Sequence, residues 1–150
     1  MNEFKPFEDK LAGLIAVLSP ASRRRMTVEI AKKLHQRQQQ RIKSQKSPDG
    51  TPYAPRKHQP IKAKKGLIKR EMFTKLRTNR FLKASGDTNE AVVEFTRRVQ
   101  RIARVHHYGL RDRPSPRSKE VQYEARPLLG FDSVNQQQLE EIIINHLSLN

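Results

Sequence analysis

The chain has 150 residues, no cysteine, and a formal net charge of +16 from 31 Lys and Arg against 15 Asp and Glu. That length fits one domain spanning residues 1–150, and the missing thiols exclude a disulfide framework, thiol chemistry and a cysteine zinc site. Apolar residues make up 35%, against about 45–50% in an average globular chain, so either part of the chain is extended or its core is shielded against copies of itself or a partner.

Phe4, Phe7, Leu11, Leu14, Ile15 and Leu18 recur at helical spacing and predict a first helix with one apolar face. The acids of the N-terminus do not fit a signal peptide. The apolar run Leu11 to Leu18, interrupted by Gly13, is far short of the roughly 20 residues of a membrane span. Neither export by a cleaved signal nor a membrane partner is expected. Ser19-Pro20 supplies a break and a restart, since Ser19 can cap a new helix and Pro20 suits its first position. Met26, Ile30 and Leu34 continue at i, i+4, with Ile42 beyond, and predict a second helix reaching Lys46, about 40 Å at 1.5 Å per residue. Its half from Gln36 to Lys46 has almost no apolar face and is expected to project from the core or lean on another chain.

The run Ser47-Pro48-Asp49-Gly50-Thr51-Pro52 is dense turn chemistry that should end this helix sharply. A basic, Pro-rich arm follows, residues 47–69 counting the turn, with Tyr53 to Lys69 expected to be extended and mobile unless docked. Met72, Phe73 and Leu76 suggest a short helix. Arg80 to Ala84 and Ala91 to Phe95 read as two strands joined by a polar hairpin loop. Val99, Ile102, Ala103 and Val105 or His106 suggest a helix ending before Gly109. Residues 110–119 read as loop, Val121 to Glu124 as a short strand, and Ala125 to Phe131 as an apolar turn. Asp132 or Ser133 then caps a last helix faced by Leu139, Ile142, Ile143 and Leu147. The fold class is α+β, with N-terminal helices, a small antiparallel sheet, a C-terminal helix and the basic extended arm.

Catalytic chemistry finds no support. His106 and His107 are adjacent and point apart on a helix, and no third ligand stands at metal spacing. His35, His58 and His146 stand alone. Glu140 and Glu141 face different ways, and no carboxylate pair lies in an apolar setting. Six scattered glycines make no phosphate loop. The chain is expected to be no enzyme, with no metal, no cofactor and no small-molecule substrate.

Charge placement is the strongest signal. Residues 20–85 hold 20 Lys and Arg against Glu29, Asp49 and Glu71, while residues 86–150 hold nine bases and nine acids. Such a stretch needs a counter-surface. The candidates to meet a partner or DNA are Arg23, Arg24, Arg25, Lys32, Lys33, Arg37, Arg41, Arg56, Lys57, Lys62, Lys64 and Lys65. An acidic protein surface is favoured over nucleic acid, because Tyr53, Phe73 and Phe81 are the few aromatics available for stacking there and no DNA-binding motif is present. Phe4, Phe7, Leu11, Arg126, Leu128, Leu129 and Phe131 are the candidate subunit interface. For the turn at 125–131, closing the core under the last helix is the favoured reading and a subunit contact the competing one.

Three segments carry a resemblance. Ser47-Pro48-Asp49-Gly50-Thr51-Pro52-Tyr53-Ala54-Pro55-Arg56-Lys57 is similar to a "PDG-T-aromatic" segment. Ala103-Arg104-Val105-His106-His107-Tyr108-Gly109 is similar to "A-R-V-H-x-aromatic-G". Ala125-Arg126-Pro127-Leu128-Leu129-Gly130 is similar to "A-R-P-x-L-G" before a C-terminal helix. In this order they resemble the phage virion morphogenesis, or tail completion, family of contractile-tailed (myovirus) phages across the whole chain. The resemblance implies a non-enzymatic assembly protein in the virion at the tail end or neck, and in the host cytoplasm during assembly. It implies a ring-forming homo-oligomer that completes the tail and helps join it to the DNA-filled head. Tail tube, terminator, neck or connector proteins would be its partners, and contact with phage DNA is possible. The alternative is a basic nucleic-acid-binding module.

Overall fold

The computed structural model describes residues 5–56 and 71–148. These hold four helices and two small two-stranded sheets, an α+β fold. They fall into two compact units, one drawn from 1–35, 84–93 and 133–150, the other from 36–83 and 94–132. No helix among the described residues is long and apolar enough to cross a membrane.

In the first unit, α1 (Lys5–Ala16) leads into the N-terminal part of α2 (Pro20–Lys43). Ser19 caps α2 as expected: its Oγ accepts the Ser22 N–H at 3.1 Å, satisfying one of the donors a helix start leaves open. Leu18, Met26 and Ile142 of α4 (Ser133–Ser148) form the core, with Ile15, Ile30, Ile143 and Leu147 packed on it. The predicted hairpin is present, with its first strand two residues late: β1 is Leu82–Gly86 and β2 is Ala91–Phe95, of which residues 84–93 belong to this unit. Its tip lies against α2, where Thr27 Oγ1 donates to the Asp87 carbonyl. A Cβ on Gly86 would stand 2.6 Å from the Val28 nitrogen, so only glycine allows that approach.

In the second unit, the end of α2 passes through Gln45, at φ 58°, into a tight turn. Tyr53 N–H bonds the Gln45 carbonyl, Ser47 N–H bonds the Thr51 carbonyl, and Asp49 Oδ1 accepts the Thr51 N–H. This is the turn the Pro-Asp-Gly run predicts, with Gly50 at φ 88°. Helix α3 (Gln100–Tyr108) ends where expected, on Gly109 in the left-handed region. Two-residue strands β3 (Arg111–Asp112) and β4 (Val121–Gln122) pair antiparallel. Ile42, Leu82 and Leu128 are fully buried in this unit.

Three expectations are corrected. Residues 72–76 form a turn rather than a short helix, because Phe73 takes φ 67°, which interrupts a right-handed helix. Residues 110–119 are not all loop, since β3 lies among them, and β4 stops at Gln122. The Gln36–Lys46 half of α2 does not project: Gln38, Arg41 and Ile42 are buried. The arm, expected to be mobile unless docked, meets that condition at its start, where Tyr53 is buried against Phe73. Beyond Arg56 the arm lies outside the described residues.

Candidate functional site

The three motif segments meet in the second unit. Arg126 is the hinge of the arrangement. Its Nε donates to the Ala54 carbonyl at 3.0 Å and its Nη2 to the Pro55 carbonyl at 3.1 Å, while its backbone N–H bonds the His106 carbonyl. Tyr53 Oη donates to the Pro127 carbonyl at 2.9 Å. His107 Nδ1 accepts the Leu128 N–H at 3.0 Å. A Cβ on Gly109 would fall 2.7 Å from the Ala125 nitrogen, and one on Gly130 would fall 2.6 Å from Pro48 Cγ. Tyr53, Phe73, His106 and Tyr123 stack edge to face in series, with centroids 4.8–5.7 Å apart.

A second cation serves the same segment from α2. Arg41 donates to the Leu128 carbonyl at 3.0 Å, to the Gly130 carbonyl at 3.2 Å, to Gln38 Oε1, and to Asp132 Oδ2 at 3.4 Å. Arg37 reaches the same Asp132 oxygen at 2.9 Å. Burial lowers the pKa of Arg41 while Asp132 opposes the shift, and a guanidinium remains charged even so. Burial also pushes the Tyr53 hydroxyl up to about 12 and holds His106 and His107 below the ordinary 6.5, Arg126 and Arg41 adding to the effect on the two histidines. Arg126, Tyr53 and His107 are directed at the chain's own backbone, and Arg41 divides its bonds between backbone carbonyls and the side chains of Gln38 and Asp132. The node is scaffold chemistry and contains no nucleophile–base pair.

The expected contact residues therefore divide. Arg41 belongs to the interior, and Arg37 is paired with Asp132. Arg24, Arg25, Lys32, Lys33 and Arg56 are exposed, and Arg23 is half-buried. Lys57, Lys62, Lys64 and Lys65 lie outside the described residues. Of the expected interface, Arg126 and Leu128 are interior, at 5% and 0% exposure, whereas Phe131 is 65% exposed. Leu129 is half-buried and lines a cleft of about 370 Å³ with Tyr108, Arg104 and Phe95. Phe4 and the side chains of Phe7 and Leu11 lie outside the described residues. Sequence reasoning missed Gln38 as a functional scaffold residue; a glutamine among glutamines carries no periodic signal.

Residues 2–148 match the phage virion morphogenesis family, and the chain belongs to it. It is 51% identical over 148 residues to tail completion protein S of Escherichia phage P2, across 98% of this chain and 99% of that relative. No solved structure matches the chain.

Proposed function

We propose that this chain is a non-enzymatic assembly protein that completes the end of a phage tail and helps join it to the DNA-filled head, working as a subunit of a ring. The single observation carrying this reading is the 51% identity, over nearly the full length, to a tail completion protein. The convergence of all three motif segments on one internal scaffold supports it, because their residues are committed to holding shape rather than to chemistry. The exposed cations of α2, Arg24, Arg25, Lys32 and Lys33, suit an acidic protein surface within such an assembly. Phe131, with Leu129 beside the Tyr108 cleft, supplies an apolar contact. The basic arm adds Lys57, Lys62, Lys64 and Lys65.

Deletion of the gene from its phage tests the reading. Filled heads and tails should accumulate separately, and purified protein added to the lysate should restore infectious particles. Normal particles from the deleted phage would overturn it. Removing residues 57–66 tests the arm and leaves intact the Ala54 and Pro55 carbonyls that Arg126 holds. A soluble protein that no longer supports joining is expected; full joining would remove the arm from the mechanism.

A further inference from the structure

Among the described residues of the first unit, two exposed helix faces carry opposite chemistries. On α2, Ala21, Arg24, Arg25, Val28, Glu29 and Lys32 line a cavity of about 480 Å³. Their spacing puts them on one stripe, on the side of the helix away from core residue Met26. Arg24, Arg25 and Lys32 are exposed and Val28 is half-buried. The stripe's acid, Glu29, is bonded to His146 at 2.6 Å. The result is an apolar floor with a cationic rim. Helix α4 buries Ile142 and so turns Gln137, Glu140, Glu141 and Ile144 outward. It carries two acids and no Lys or Arg. Ile144 is 59% exposed in the middle of this acidic face.

We infer that the α2 stripe of one copy receives the outer face of α4 from a second copy, with Ile144 over Val28 and Glu140 and Glu141 against the cationic rim. The inference rests on reading the chain as an assembly subunit. A chain's own α4 touches the stripe only at its Glu29 edge, through His146, and cannot lay its outer face there because its inner face, Ile142 and His146, is turned toward α2. Nucleic acid fits less well: the stripe has no aromatic platform, and its apolar floor offers a phosphate nothing. The two faces differ, so the contact is heterologous. Repeated through identical copies it closes a ring or runs on as a filament.

Reversing charge tests the pairing. R24E/R25E/K32E makes stripe and α4 both acidic, and E140K/E141K makes both basic. Each variant alone should self-associate at least about tenfold more weakly than the parent chain in sedimentation, since like charges then face each other. Mixed, each variant's stripe meets the other's α4 with opposite sign, and association should return. That recovery also shows that both variants are folded. The natural chain has no cysteine, so a V28C chain mixed with an I144C chain should give a disulfide-linked dimer on oxidation. A parent chain that stays monomeric at all concentrations, variants that associate like the parent, or a mixture that does not recover would each overturn the contact. A monomeric parent whose loss still separates heads from tails would overturn the contact and leave the tail role standing. Self-association by this pairing with normal particles from the deleted phage would do the reverse.

Discussion

Arg126 and Arg41 lie in a strongly basic chain, yet both are interior groups whose guanidinium forks hold backbone carbonyls. Arg126→Ala would leave the Ala54 and Pro55 carbonyls without these donors and should cost about 2–3 kcal/mol in denaturant unfolding, as hydrogen bonds to charged groups do. Lysine, lacking the planar fork, should recover only part of this. Gly109 was legible in advance as a helix terminator, because a left-handed residue is needed there. Arg126 was not legible as a scaffold, because a cation beside leucines reads equally as interface. The histidines of this node set its response to acid. His107 Nδ1 can accept the Leu128 N–H only when unprotonated, and burial holds both His106 and His107 below 6.5. The unfolded chain takes up protons at these rings before the folded chain does. Their contribution to stability is therefore complete above about pH 6.5 and is lost as pH falls through the lower folded values. Thermal unfolding followed from pH 7.5 down to pH 5 should show a falling Tm, and His107→Gln should flatten that fall.

Helix α2 shows which elements sequence patterns can reveal. Its start was readable to the residue: Ser19 caps and Pro20 begins the helix. Ser19→Ala should lower stability by about 1 kcal/mol, measured by chemical denaturation, with the helix otherwise retained. The first half was readable too, since Met26 and Ile30 reach the core at helical spacing. The second half was not, for a physical reason. Gln38 and Arg41 are buried by hydrogen bonds to Leu128, Gly130 and each other, and apolar periodicity carries no trace of burial achieved that way. The same limit explains residues 72–76. Met72, Phe73 and Leu76 have helical spacing, but Gln45 clasps the Met72 backbone through both its N–H and its carbonyl, and Phe73 turns left-handed. Strands β1 and β2 were legible because a polar loop, residues 85–90, separates two short runs close in sequence. β3 was not, because two residues contain no period.

At the scale of the whole molecule, a net charge of +16 creates a field that acts at a distance, while a docking face acts only where it sits. The two separate experimentally by moving charge without changing its total. R24E/R25E/K32E removes three exposed cations from α2, and R97E/R98E/R113E removes three exposed cations from the other unit. Both variants carry the same net charge. If the basic character serves nucleic acid through long-range attraction, both should lose DNA affinity alike, and the salt slope of binding should shallow to the same degree in each. If α2 is a specific protein-docking face, the first variant alone should fail to restore infectious particles in a lysate lacking the natural protein. The second should then perform as the natural chain does. The α2 reading predicts this second pattern, since its cations surround an apolar floor at Val28 that a phosphate backbone has no use for. Equal failure of both variants would move the function from a face to the field, and the basic segment would then belong to DNA.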